Sequence, residues 1–428
     1  MNNIYYNKGG KIIKKIFIYY LTILIFLIPI ISVSASDNIE ARIGDKFYDN
    51  LEDAITAASS KDTITLTNNV NLKDTLNINK TVNINLNNNT ISSDQKVFLI
   101  EGGSLNLTGN GTIRENKPYY GAIMLIGSED KLKKDYSTVN IGKDVTLEGW
   151  SGIFIDHNEN NTGYGILVNM DGTIKSTNDI NGDPGAGIYV NGNIKHEDNS
   201  PIINLDKNTK ITSTGNGIYA AGYATYNING AYIEGIESAL GIKSGIFNIN
   251  NGTILGTGED KTPTSGNNNG INPSGAAIQL ESNNGYAGNI ELNIKNGIIK
   301  SKKGNTIYEY TVNNTNTKVK KINLSGGSYT SDAGKSVFSL SNSFKNIHPQ
   351  FITGGSYSSD PSPYLEAGYK ADKSNSLYKV IQNTISVFNQ NINNKPNKNP
   401  LYIIVIITTI AIIGTLLFLK NKNSKIHI

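Results

Sequence analysis

Apolar residues along this chain fall in short alternating groups separated by glycine and asparagine. One cassette recurs: an apolar residue, Asn, an apolar residue, a short spacer, then Gly, a small or apolar residue, and an apolar residue or Tyr. It stands at Leu105-Asn106-Leu107 with Gly111-Thr112-Ile113, at Val168-Asn169-Met170 with Gly172-Thr173-Ile174, and at Phe247-Asn248-Ile249 with Gly252-Thr253-Ile254. Leu292-Asn293-Ile294 with Gly297-Ile298-Ile299, Tyr226-Asn227-Ile228 with Gly230, and Ile322-Asn323-Leu324 with Gly327-Ser328-Tyr329 continue it. A second short group, usually opened by Gly or Ala, alternates with the cassette. Examples are Ala122-Ile123-Met124-Leu125, Gly152-Ile153-Phe154-Ile155, Gly187-Ile188-Tyr189-Val190 and Gly217-Ile218-Tyr219-Ala220.

Groups this short with period-two alternation are strands that bury one face. The cassettes carry no helical periodicity, which excludes leucine-rich and helical repeats. The repeat spacing, mostly about 21 to 35 residues, suits stacked solenoid coils. Gly and Asn at the corners supply the positive φ that tight turns between faces need. The pattern therefore predicts an all-β fold, a parallel β-helix over residues 63–380, with Ile, Leu and Val laddered inside. Asn106, Asn140, Asn169, Asn204, Asn227, Asn248, Asn293 and Asn323 then form an outward column whose amides bond along the stack. The loops Glu129–Tyr136, Asn158–Thr162 and Gly258–Pro273 are expected to bulge from one corner.

A solenoid must close its ends, because an open coil exposes ladder groups and core. Residues 36–62 are the expected N-terminal cap. Within them Leu51-Glu52-Asp53-Ala54-Ile55-Thr56-Ala57-Ala58 is amphipathic, with Leu51, Ala54, Ile55 and Ala58 on one helical face. At the other end Gly354-Gly355-Ser356-Tyr357-Ser358-Ser359-Asp360 leads through Pro361 and Pro363 to Tyr364 and Gly368-Tyr369.

The termini differ in character from this body. Lys8, Lys11, Lys14 and Lys15 precede an apolar run from Ile16 to Ile31, and Val33-Ser34-Ala35 offers small residues for cleavage, so residues 1–35 are expected to be a signal peptide. Leu401 to Leu419 is free of charge and long enough to span a bilayer as a helix. Lys420, Lys422 and Lys425 in the tail 420–428 place that tail in the cytosol and the body outside, with 381–400 as a polar tether. The expected location is the cell membrane, single-pass, with the membrane itself as one partner. The formal charge of +4 conceals this division: 32 of the 39 basic residues lie between Ser36 and Pro400, with all 35 acidic ones. That weakly acidic exterior gives no electrostatic case for nucleic acid. With no cysteine, disulfide scaffolds and thiolate metal sites are excluded.

From Lys46 to about Val380 the sequence resembles the right-handed parallel β-helix surface proteins of low-GC Gram-positive bacteria, clostridia in particular, whose fold is similar to that of the pectin-lyase superfamily. The resemblance rests on Tyr48-Asp49-Asn50-Leu51-Glu52-Asp53-Ala54-Ile55 with Asp62-Thr63-Ile64, on the Asn and Gly-Thr-Ile cassettes, and on the closing Gly-Gly-Ser-Tyr-Ser-Ser-Asp segment. It implies a right-handed coil. Many anchored relatives end in a Leu-Pro-x-Thr-Gly sortase signal. Here Asn394-Lys395-Pro396-Asn397-Lys398-Asn399-Pro400 stands in its place, which favours retention by the helix itself.

Fold does not assign chemistry. Lyases of this fold resemble one another in using calcium-binding acidic clusters and an Arg or Lys base, but only Arg42 and Arg114 are present, and Arg114 has no obvious acidic partner. The fold's hydrolases resemble one another in having Asn-x-Asp, Asp-Asp and Gly-His-Gly motifs, and this chain has neither Asp-Asp nor Gly-His-Gly. Glu148-Gly149-Trp150 with Asp156-His157 and Asp171 form the weak catalytic candidates, an acid/base pair beside a sugar-stacking ring. The plainer reading is a solvated loop with Trp150 capping a coil edge. His196, His348 and His427 are isolated, so no metal ligand set is expected; Asp179 to Asp183 is acidic enough for calcium but lacks the spacing of a dedicated loop.

Alternation offers a binding candidate. If Ile153 and Ile155 point inward, Phe154 points outward, as do Met124, Tyr189 and Tyr219 in neighbouring coils, with Tyr308 a further member. Phe154, Tyr189 and Tyr219, with Trp150, either form a flat strip for a sugar or a protein partner, or cover one another as a stabilising ladder. The expectation is a non-enzymatic, adhesin-like surface protein that binds polysaccharide or a surface protein. The alternatives are a membrane-tethered polysaccharide lyase or glycoside hydrolase, and a plain structural spacer.

Overall fold

A computed structural model describes residues 39–383, other than 119, 161, 178, 181, 263–273 and 313–315. The expected signal peptide, nearly all of the tether, the apolar run 401–419 and the basic tail lie outside the described residues. Among the described residues no helix is long and apolar enough to cross a membrane.

The described chain is all-β. One sheet of 23 strands and one of 10 hold nearly all of it, and their long runs pair in parallel. The larger sheet carries two columns. The first runs Thr63–Leu66, Thr81–Asn85, Ser104–Thr108, Ser137–Ile141, Ile166–Met170 and onward to Val319–Leu324. The second includes Thr90–Ser93, Gly111–Glu115, Val145–Gly149 and Thr173–Ser176. The smaller sheet is the third column, from Leu76–Ile78 through Ile153–Asp156 to Phe338–Ser339. Repeated coils of three faces fit a parallel β-helix.

Register makes the core continuous. In the first column Ile84, Leu107, Ile141, Met170, Leu205, Ile228, Ile249, Ile294 and Leu324 stack directly, each almost wholly buried. Between these apolar rungs the asparagines point outward as expected. Asn106 Nδ2 donates to Asn83 Oδ1 in the preceding coil, and the same bond repeats up the column to Asn293 and Asn248, at 2.5–3.2 Å. Asn323 stands in register with Asn293, and Asn83 starts the series by donating to the Ser60 and Asp62 carbonyls.

The glycines serve two purposes, of which only one was expected. Gly252 adopts φ 138° at the corner between the first and second columns, a conformation that L side chains rarely take. Gly152, Gly187 and Gly217, which open third-column strands, are required for room instead. A Cβ there would lie 2.5, 2.2 and 2.5 Å from Cγ2 of Ile174, Ile211 and Ile233 respectively. That close approach of two faces is why the third strand so often begins with the smallest residue.

Residues 129–136 and 158–162 both leave the corner between the third and first columns. Residues 258–262 do not share it: they follow the second-column strand ending at Gly256 and precede the third-column strand Ile278–Ser282, so the expected single corner is corrected to two; the rest of that expected loop, 263–273, lies outside the described residues.

Both ends are closed. Helix α1 (Leu51–Ala57) buries Leu51, Ala54 and Ile55, and Asn50 caps it by accepting the Asp53 N–H at 2.8 Å. Strand β1 (Ala41–Ile43) pairs antiparallel with both β2 (Lys46–Tyr48) and β3 (Thr63–Leu66). At the far end α2 (Asn342–Ile347) buries Phe344, and an antiparallel hairpin, Tyr369–Ser374 with Leu377–Gln382, covers the last second-column strand. Its final strand extends to Gln382, past the expected limit at residue 380.

Candidate functional site on the third face

The outer row of the third column runs from Asn77 through Leu99, Met124, Phe154, Tyr189, Tyr219, Gly241, Gln279 and Tyr308 to Ser339, one residue per coil in register. Ile153 and Ile155 are fully buried in the main core, and their outward neighbours belong to separate apolar clusters outside it. The rings of Phe154 and Tyr189 stack at 4.6 Å with 8° between planes, and Tyr189 meets Tyr219 at 4.7 Å.

The row is largely covered. Phe154 and Tyr219 are only 4% and 3% exposed, whereas Tyr189 and Leu99 remain half-buried. Trp150 packs 6.3 Å from Phe154 and 5.7 Å from Tyr189, and Tyr120 sets its edge on Phe154 at 5.4 Å. Trp150 is fixed rather than presented. Its indole N–H donates to the Asp183 carbonyl at 2.9 Å, its backbone N–H to the Glu115 carboxylate at 2.8 Å, and its own carbonyl accepts from Ser176 Oγ. Burial raises the hydroxyls of Tyr189 and Tyr219 well above the ordinary tyrosine range, so both stay neutral donors.

The weak catalytic candidates do not assemble. Asp156 and His157 end a third-column strand as a local pair, with Nδ1 2.7 Å from Asp156 Oδ1 and Asn193 Nδ2 3.3 Å from Nε2. Asp171 lies at the corner between the first and second columns, where it accepts from the backbone and side chain of Asn208. Glu148 is on the second face. There it binds Arg114 Nε at 2.8 Å and Lys175 Nζ at 3.1 Å, so Arg114 does have an acidic partner, 34 residues along the chain in the next coil. Partial burial opposes ionisation of Glu148, but its hydrogen bonds from Arg114 and Lys175 hold its carboxyl below the usual range.

The third face also holds a charged centre that escaped the sequence reading. Lys243 and Glu281 are both 0% exposed, with Nζ 3.2 Å from Oε1. Tyr310 donates to Glu281 Oε2 at 2.7 Å, and Asn283 Nδ2 donates to Oε1 at 3.2 Å. The ammonium lies 4.1 Å from the ring centre of Tyr286 and 5.5 Å from that of Tyr219. Such a pair persists in a dry site only when its other polar positions are also met. Alternation was the signal that could have found it: Gly241-Ile242-Lys243 and Gln279-Leu280-Glu281 repeat outward-inward-outward in paired coils.

At the opposite margin Glu237 sits half-buried with Asp183 nearby. Burial, then the Asp183 charge, push its carboxyl up to about 7, against a smaller opposing effect of Lys261. Asp183 is itself raised by burial and by Asp179. Among the described residues no group of three or more His, Cys, Asp and Glu side chains is placed to hold a metal ion. Asp179 instead accepts the Gly182 N–H within its own turn. No family model, curated protein or solved structure matches this chain.

Proposed function

We propose that this chain is a membrane-anchored cell-surface protein, non-enzymatic, which projects a right-handed β-helix for adhesion through a glycan or protein ligand. The observation that carries the reading is the third face: a rigid row of Leu99, Met124, Phe154, Tyr189 and Tyr219 in register, open chiefly at Leu99 and Tyr189. Rigid aromatic surface is suited to the apolar faces of sugars and to protein contacts because little side-chain entropy is lost on binding. The anchoring part of the proposal rests on the apolar run 401–419 and the basic tail after it.

Glycan-array and surface-protein binding of residues 36–400, compared with Tyr189→Ser, tests the proposal. Binding that falls at least tenfold in the variant, with unchanged circular dichroism, supports it; silence of the parent across both arrays overturns it. The Asp156–His157 pair, at 2.7 Å, favours a second reading as a tethered polysaccharide lyase or hydrolase. Release of unsaturated uronate or shortened sugar with calcium present, lost in His157→Ala, is the result that would replace the first reading with the second.

A further inference from the structure

The geometry points to an intramolecular amide cross-link between Lys243 Nζ and Asn283 Cγ, formed by the protein itself with Glu281 as the proton carrier. Lys243 Nζ and Asn283 Nδ2 each lie 3.2 Å from the same oxygen, Glu281 Oε1. A nucleophile and a scissile amide thus flank one general acid/base. Asn283 Oδ1 accepts the Gly285 backbone N–H at 2.9 Å, which polarises the carbonyl and would stabilise the oxyanion formed on attack. Tyr310 holds the second carboxylate oxygen at 2.7 Å and so fixes the orientation of the first.

The surroundings supply the remaining conditions. Lys243 and Glu281 are 0% exposed and Asn283 is 4% exposed, so water is kept from the amide. Tyr219 and Tyr286 wall the lysine, and the Tyr286 carbonyl is tied to Lys318. Register holds the partners near one another, since Leu240 to Ile242 pair with Ile278 to Leu280; Lys243 directly follows the first strand, Glu281 lies in the second and Asn283 directly follows it. Reactants so fixed lose little further entropy on reacting.

The step balances without an added reagent. One proton passes from the Lys243 ammonium to Glu281 Oε1, and the free amine attacks Asn283 Cγ. The Nζ–Cγ bond forms, the Cγ–Nδ2 bond breaks, and both protons released by Nζ depart with Nδ2 as ammonium, which restores the carboxylate. Each molecule reacts once, and the product joins two adjacent coils through an amide, with the Glu281 carboxylate still held by Tyr310.

The test is mass spectrometry of the full-length protein, intact and after proteolysis. A mass lower than the sequence mass by one ammonia, after allowance for any signal cleavage, is expected, with a branched peptide joining Lys243 to Asn283. Linear peptides alone, with Lys243 and Asn283 both unmodified, would overturn the inference. Because this readout comes from the parent protein, it does not depend on any variant folding. Glu281→Gln, purified in parallel, is expected to lose the branched peptide; its persistence there would overturn the part assigned to Glu281.

Discussion

The Glu115 carboxylate accepts the backbone N–H of Trp150, 35 residues away in the adjacent coil, at 2.8 Å. Its other oxygen accepts the N–H groups of Tyr120 and Gly121 at 2.9 and 2.8 Å, and the side chain is 1% exposed. Neighbouring coils place Ser93, Gly149 and Ser176 at the equivalent strand end, so Glu115 is an acceptor inserted where others are small. Glu115→Gln would turn an NH2 group toward these donors. A loss of about 2–3 kcal/mol is expected from burying mismatched polar groups, read as a lower urea midpoint. Glu148→Gln, which breaks a partly solvated ion pair on the second face, should stay within about 1 kcal/mol of the parent.

The asparagine column predicts a polarity-dependent result. Asn204 donates to Asn169 and accepts from Asn227, at 2.8 and 2.9 Å. Asp at this position keeps the acceptor but sets an oxygen against Asn169 Oδ1. Asn204→Asp should therefore cost about 1–2 kcal/mol at neutral pH, and part of that loss should return on acidification as the new carboxyl gains a proton. Thermal melts at neutral and acidic pH, each paired with the parent, measure the difference.

Glu237 gives a pH dependence of defined sign. Its carboxyl is raised from 4.5 to about 7 in the folded protein. Between those values the folded state binds more protons than the unfolded one, so stability from this group is complete below about 4.5 and is lost as pH rises through about 7. Glu237→Gln should lose less stability than the parent between about pH 5 and about pH 8 and should be the more stable protein at the alkaline end. Urea titrations at both pH values decide it, and a parallel fall in the two proteins would contradict the assignment.

Close approach at Gly187 predicts overpacking. A Cβ would lie 2.2 Å from Ile211 Cγ2 and 2.6 Å from the Gly217 carbonyl oxygen. Gly187→Ala should cost about 1–3 kcal/mol, whereas Gly→Ala in an unstrained, open position normally stabilises through the unfolded chain. Phe154→Ala, which empties the middle of the aromatic stack, should cost about 3–5 kcal/mol. Unfolding midpoints of both variants against the parent are the check.

The fold was largely legible because each strand advertises itself locally. Alternation in Leu105-Asn106-Leu107 assigns the buried and open faces without knowledge of the partner coil, and α1 declares its apolar stripe within eight residues. Pairings across the stack were less legible, because loops of unequal length separate the coils. Arg114 and Glu148 are 34 residues apart and Asn248 and Asn293 are 45 apart, so no fixed spacing announces either contact. The aromatic row was read correctly as outward, but its covering by Trp150 and Tyr120 depends on corner segments whose course has no period. Lys243 and Glu281 were missed for a related reason: Lys243 stands just past the strand Ser238–Ile242 and Glu281 near the end of Ile278–Ser282, where a charge resembles a solvated residue until its neighbours are known.

From Asn106 to Asn248 every bond in the asparagine column runs from one coil to the coil before it, and each of these side chains gives one donor and one acceptor. A coil bearing Asn at this position can therefore be added or removed without stranding an amide, provided its inner rungs remain apolar. The length of the shaft is in that sense a separate variable from the identity of its faces, changing by about 4.8 Å per coil. Shaft length can thus be adjusted by duplication or loss of whole repeats, while the faces elsewhere on the stack are left as they were.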